Sequence, residues 1–459
     1  MTGTAALYRT IWRWHFYAGL LVVPLILILS VSGAIYLFKP QIERWEESSF
    51  RGLPTEGAAS PDRQLQAAQT AYPGAMFHAY RVPQAPGDAA MIHLALPSSG
   101  QMIDVFVSPQ GKVLGSLDPD ARIAPTIARF HGSLMIGRVG DWLVELAASW
   151  AIVMILTGLY LWWPDGRGLG GVVWPRLDRG GRAALRDLHA VTGFWVSGLA
   201  LALLVTGLPW ASVWGSAFRM VRTELGLVQG PQDWKTGGSD PHAHHDHQAM
   251  AAAMAGADAE ATPHDHAHHT PGQMRLGYVV AKARGERMAS PVLVLPPGAP
   301  QAFGPPTGGV WTVKSETQNR PLVRSVSYDP TSGREVARQD FSDKHPVDQV
   351  VNYGIAWHEG QLLGLFNQIV GVLTALMLIT LSVSGFMMWR NRKPDGQLGA
   401  PPAAPTKARG MAAIVIVLAA MLPLLAASLI ALWIIERLVL SRIPAMARWL
   451  GLAAPALSR

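Results

Sequence analysis

Apolar and polar positions segregate into long blocks along this chain. Five apolar stretches, at roughly 16–38, 142–163, 190–214, 366–389 and 411–435, approach or exceed the ~20 residues that cross ~30 Å of hydrocarbon. Between them lie two long polar segments, 39–128 and 215–356, and two short ones, 164–187 and 390–410. The pattern predicts a polytopic membrane protein with transmembrane helices over 1–38, 129–163, 188–214, 357–389 and 411–459, the last with a short amphipathic tail. Arg9 and Arg13 precede the first stretch. It is too long for a signal-peptide core and has no small-residue cleavage site after Phe38-Lys39-Pro40, so it reads as a retained helix.

Within 39–128 the period changes. A helical run at Gln64–Tyr72 ends at Pro73-Gly74, and alternating runs follow at Met91–Leu96, Met102–Val107 and Lys112–Gly115. That is a helix beside an antiparallel sheet. Segment 215–356 repeats the design, since Val326-Ser327-Tyr328-Asp329-Pro330 with Thr331-Ser332-Gly333-Arg334 echoes the turn at 105–112.

The apolar stretches repeat too. His131 and His358 are each followed by Gly at six positions (Gly137, Gly364), Gly at 27 (Gly158, Gly385) and Trp at 31 (Trp162, Trp389). His15 and His189 are each followed by Gly at four (Gly19, Gly193) and at 18 (Gly33, Gly207). The chain is a duplication of helix, polar module, helix, with a fifth helix appended, and a pseudo-twofold axis along the membrane normal is expected.

Charge orients these helices. Only 15% of residues are charged and the net charge is +7. The excess sits beside helix ends, at Arg167, Arg176, Arg179, Arg182 and Arg186 in one short loop and Arg390, Arg392 and Lys393 in the other. Positive loops stay cytoplasmic. The N-terminus is therefore expected inside, both modules outside, and the fifth helix should end outside. Charge of this kind implies lipid as a partner and needs no nucleic acid.

The four histidines then fall at two depths, His15 with His189 near the cytoplasmic face and His131 with His358 near the outer face. Ionisable groups in membrane spans mark function. Two imidazoles facing each other across a bundle suit a six-coordinate haem; a bare metal ion is the rival occupant. Gly19 and Gly193 would let a flat macrocycle approach the backbone, whereas Gly33, Gly207, Gly158 and Gly385 are explained by close helix packing. Arg13, Arg129, Arg138 and Arg186 are candidate partners for propionates. Cysteine is absent, which excludes disulfides, iron–sulfur clusters and covalently attached haem. No G-x-G-x-x-G opens a βαβ unit. Electrons must come from outside the chain, from a quinol or a cytoplasmic reductase.

A low-complexity segment at 240–270 carries His242, His244, His245, His247, His264, His266, His268 and His269, with Met250 and Met254 between. Such tracts bind Zn, Ni or Cu(II) through imidazole. A solvated loop with incidental metal affinity is the competing reading.

The segments Trp12-Arg13-Trp14-His15, Arg129-Phe130-His131, Leu188-His189 and Trp357-His358, alternating with two α+β modules, resemble the PepSY-associated transmembrane family, which includes inner-membrane ferric-siderophore reductases. The likeness runs to about Pro394. It implies a four-helix bundle holding two haem b through His15, His189, His131 and His358, external modules of the PepSY type, and reduction of a ferric chelate in the periplasm. Copper is the alternative substrate. A non-redox protein whose modules bind peptide or regulate a protease is the alternative class.

Overall fold

The computed structural model describes residues 3–97, 99–163, 170–228, 274–301, 306–401 and 409–452; the histidine-rich segment lies outside them. The first helix, α1 (Gly3–Tyr36), is followed by α2 (Lys39–Glu46), α3 (Pro61–Ala71), strands β1 (Met76–Arg81), β2 (Ala90–Ala95), β3 (Met102–Val107) and β4 (Val113–Leu117), then α4 (Ile123–Ser133) and α5 (Gly137–Trp162). The second half follows the same order: α6 (Gly181–Gly207), α7 (Ser212–Glu224), α8 (Leu276–Gly285), β5 (Val292–Leu295), β6 (Trp311–Ser315), β7 (Arg324–Tyr328), β8 (Glu335–Asp340), α9 (Pro346–His358) and α10 (Leu365–Arg392). Among the described residues, four helices are long and apolar enough to cross a membrane, at Ala5–Tyr36, Gly137–Trp162, Gly181–Trp210 and Leu365–Arg392. The molecule is a helical membrane protein with a separate sheet at one end.

One expectation about these helices needs correction. His131 and His358 do not open membrane helices; they lie near the ends of the short helices α4 and α9. Leu134, Met135 and Gly137 all have positive φ, and no L side chain continues a right-handed helix there. A fresh helix begins at Gly137. The second copy breaks at Gly360 and Gly364, also at positive φ. The glycine six residues after each histidine therefore marks a turn between two helices.

The modules are not two separate sheets. All eight strands form one antiparallel sheet in the order β4-β3-β2-β1-β5-β6-β7-β8. The seam pairs Tyr80 with Val294 and Arg81 with Leu293. β1 lay unrecognised in the sequence because Phe77 and Ala79 flank a bulge that interrupts alternation. Pairing β1 with β5 removes two edges that would otherwise present open hydrogen-bonding groups. One face of the sheet packs beneath α3 and α8 through Tyr80, Ile92, Val105, Val279, Val294 and Val313, all buried. Asp62 of α3 accepts from the Gly277 amide of α8 at 3.0 Å, tying the two copies together on that face as well.

The sheet sits at the end of the bundle where α1 and α6 finish. Glu47, just past α2, accepts from Arg81 at 2.7 Å and pairs with Arg122 at 3.0 Å. On the other side Gln318 donates to Glu359 and Asn319 to the Leu362 carbonyl, both at 3.4 Å.

The fifth stretch is not one transmembrane helix. It is two short helices, α11 (Arg409–Met421) and α12 (Pro423–Leu438), followed by α13 (Pro444–Leu450). Pro423 has no amide to continue the ladder, and Leu422 leaves the helical region at φ −127°, ψ 88°. Trp214, beside the sheet end, donates its indole N–H to the Met421 carbonyl at 2.9 Å, which satisfies a group the break would leave open. Trp150, deeper along α5, donates to Ser428 at 3.0 Å. Farther on, the carbonyls of Leu450 and Gly451 accept from Tyr17 and Arg13 near the start of α1. The chain thus rises, turns at Pro423 and returns to the end it left. The expectation that this segment crosses once and finishes on the sheet side is wrong.

Candidate functional site

Each of the four histidines is docked by the same device. His15 of α1 turns Nδ1 to Thr157 Oγ1 at 3.0 Å and to the backbone of Met154. His131 of α4 turns Nδ1 to Ser32 Oγ at 2.9 Å and to the backbone of Leu29. His189 of α6 meets Ser384 Oγ and the Leu381 carbonyl, both at 3.1 Å. His358 of α9 meets the Leu203 carbonyl at 2.9 Å and Thr206 Oγ1 at 3.3 Å. In every case the hydroxyl lies three residues after the backbone acceptor, and a glycine follows it.

This arrangement fixes the tautomer. The hydroxyls of Thr157, Ser32, Thr206 and Ser384 already donate to carbonyls of their own helices, so they can only accept from the ring. A carbonyl likewise only accepts. Nδ1 must carry the proton, and Nε2 is left with its lone pair and no hydrogen bond among the described residues. Tying Nδ1–H to a carbonyl is how proteins orient a metal-ligating imidazole.

The glycines complete the socket. A Cβ on Gly33, Gly158 or Gly207 would stand 3.1 Å from Cε1 of His131, His15 or His358, and on Gly385 3.2 Å from that of His189. These four glycines make room for imidazole rings, where the sequence suggested only helix packing. The docking is reciprocal: α5 receives His15 of α1, and α1 receives His131, which leads into α5.

The facing pairs are then formed between halves. His15 and His189 have ring centroids 6.4 Å apart, at 84° between planes, and His131 and His358 are also 6.4 Å apart, at 73°. Two metal–imidazole bonds of about 2.0–2.1 Å end to end, with a ring radius on each side, span about 6.3 Å. Along α1 the 18 residues from His15 to Gly33 separate the two levels by about 27 Å. Both pairs line one cavity of 1210 Å³, together with Gly19, Gly193 and mainly apolar side chains of α1, α5, α6 and α10.

The other residues expected at the site divide. Arg186 lines the cavity and pairs with Asp187 at 2.8 Å. Arg13 is committed elsewhere, to the carbonyls of Pro401 and Gly451, and Arg129 donates to the Asp120 carbonyl at 2.7 Å. Neither lines the cavity, nor does Arg138. Residues that sequence reasoning passed over do line it: Arg182 and Arg392 at the His15 end, Trp210 against the His358 ring at 5.5 Å, and the buried Asp141, Glu145 and Glu359. The hydroxyl-glycine pairs Ser32-Gly33, Thr157-Gly158, Thr206-Gly207 and Ser384-Gly385 were the available signal.

Two imidazoles per level, with no cluster of three or more His, Asp or Glu suited to a metal ion among the described residues, is a poor donor set for a bare ion. It suits a group that brings its own equatorial ligands, and the open cavity around the rings has room for flat macrocycles.

A helical membrane bundle with paired imidazoles at two depths and a sheet across one end defines the class. The chain belongs to the PepSY-associated TM region family, whose pattern matches residues 12–392. The hairpin α11–α12 lies beyond that match. No curated protein matches the chain.

Proposed function

We propose that this protein is a transmembrane di-haem b oxidoreductase that carries electrons toward its sheet end and reduces a ferric chelate there, of the siderophore type. The observation behind it is the pair of facing imidazoles at each of two levels, 6.4 Å between centroids, with Nδ1 tied back and Nε2 free. His15 with His189, and His131 with His358, would hold the two haems. Bound there, haem b supplies a one-electron couple at each level. The chain's own part is to lock the tautomers, hold the rings apart, and line the space between with side chains that keep water out.

The donor is a quinol or a cytoplasmic reductase meeting the His15–His189 end. At the other end Asp141, Glu145 and Glu359 line the cavity near the His131–His358 level, with the sheet beyond them, where an acceptor would rest. Reduction would serve iron release, because hard oxygen ligands favour Fe(III) over the softer Fe(II). In this reading the protein lies in a bacterial inner membrane, with its N-terminus cytoplasmic and its sheet periplasmic.

The test is direct. Protein purified after expression with ample haem should show a low-spin b-type spectrum with two haems per chain. Chemically reduced and freed of reductant, it should be reoxidised by ferric chelates without oxygen, with Fe(II) appearing in a trap. A colourless preparation overturns the reading in favour of a non-redox membrane protein. Reoxidation by Cu(II) but by no ferric chelate overturns the substrate.

A further inference from the structure

The charges lining the cavity are distributed unevenly. Toward the sheet they are carboxylates, Asp141, Glu145 and Glu359, with no Arg or Lys. At the other end stand Arg176, Arg182, Arg186 and Arg392, with Asp187 as the single acid. Asp187 is shared by Arg176 at 2.7 Å and Arg186 at 2.8 Å. That leaves Arg182 and Arg392 without a carboxylate partner among the described residues. Both line the cavity, on two helices packed against each other. Stacking on Trp12 at 4.8 Å and Phe16 at 5.5 Å holds the Arg392 guanidinium in place, and one of its N–H groups reaches the Gly399 carbonyl at 3.1 Å. Both guanidinium groups stand at the lip of the apolar cavity, where an anion held inside it would meet them.

Position says which anion. Arg182 lies seven residues before His189 on α6, and Arg392 seven after Gly385 on α10, which docks the His189 ring. Seven residues are nearly two helical turns, so each arginine shares a helix face with its histidine or glycine, displaced by about 10 Å along the axis. Both displacements run away from the sheet. That distance matches the edge of a macrocycle plus a propionate arm.

We propose that Arg182 and Arg392 bind the two propionate carboxylates of the haem at the His15–His189 level, fixing it with its propionates toward the end away from the sheet. The inference rests on the di-haem reading above. Two guanidinium forks answer two carboxylates, and each offers the paired N–H geometry that a carboxylate accepts. Arg186, held by Asp187, stands one turn from Arg182 as a further donor.

The experiment uses the full-length protein loaded with haem b, its Arg182→Gln/Arg392→Gln variant, and the corresponding double Lys variant. The haem concerned is identified as the one lost in His15→Ala. In the Gln variant its midpoint potential should fall, because removing nearby positive charge favours the ferric form, and its retention against a haem scavenger should weaken about tenfold for each charge-assisted bond lost. The second haem should keep its potential, which also shows that the protein is folded. The Lys variant, retaining charge but not the fork, should recover most of the potential and less of the retention. Wild-type protein with two haems, and a Gln variant in which neither potential nor retention changes, overturns the proposal alone. Wild-type protein that takes up no haem overturns the di-haem reading along with it.

Discussion

At the scale of single residues, the strongest constraint is the contact between each glycine and the imidazole it faces. In the proposed di-haem form, Gly33→Val and Gly207→Val should each abolish the haem at the His131–His358 level and spare the other. Gly158→Val and Gly385→Val should do the reverse, as read by haem stoichiometry and the visible spectrum of each purified variant. A second residue-scale expectation concerns the sheet. His93 and Asp104 face each other across β2 and β3 as a buried ion pair. Burial alone would lower the His93 pKa, but the Asp104 charge outweighs it and raises the value above 6.5. Burial would raise Asp104, yet His93 holds it below 3.8. The histidine contribution is complete below pH 6.5 and fades as pH rises through its raised folded value. The aspartate contribution is complete above pH 3.8 and fades as pH falls through its depressed one. Asp104→Asn should therefore destabilise the sheet by about 3 kcal/mol between pH 4 and 6.5, and by less once the pH has risen past the raised His93 value, in thermal melts run across that range. The four histidines and their glycines were legible in the sequence because repetition exposed them. What each glycine touches was not, since the contact is made between helices far apart in the chain.

At the scale of elements, short connecting helices position the site. α9 is held by Arg222 of α7, fully buried and paired with Asp348 at 2.8 Å, and α7 is itself started by Glu145 of α5, which accepts from the amides of Val213 and Trp214 at 2.9 and 3.0 Å. Carboxylates at helix starts satisfy amides that have no partner within the helix. Hydropathy located the long helices well, since an apolar run of sufficient length says much by itself. The repeat centred on the histidines ran the ends of α4 and α9 on into α5 and α10: the first turn, Leu134-Met135-Ile136, is short and apolar, whereas the second, from Glu359 to Gly364, is longer and partly polar. Hydropathy read through Pro423, whose effect depends on whether neighbouring groups supply the missing bonds. The hairpin carries its own test: a reporter fused after Leu452 should lie on the same side of the membrane as one at Ala400, and opposite to one at Gly57. A reporter after Leu452 that matched Gly57 would show that the segment crosses.

At the scale of the whole molecule, the two halves are joined far more by contacts than by the chain between them. The seam of β1 with β5, the cap of Asp62 on α8 and the bundle all cross from one half to the other. A protease site inserted within 240–270, once cut, should leave the halves associated through purification; dissociation on cutting would mean that the connection itself holds them. The duplication was visible in the sequence, but the merging of the modules was not, because alternation specifies a strand without naming its neighbour. The fused sheet has one more consequence. Its strand order reads the same from either edge, with the Tyr80–Val294 pair at the centre, and below that point each facing histidine pair takes one ring from each half. An axis through that seam thus passes between both pairs. A protein made of one half alone could pair its first strand with that of a second identical copy and complete both histidine pairs only by doing so. The present chain has the form of a dimer of like halves joined in one chain, and the basic and acidic ends of its cavity lie along the axis that the halves share.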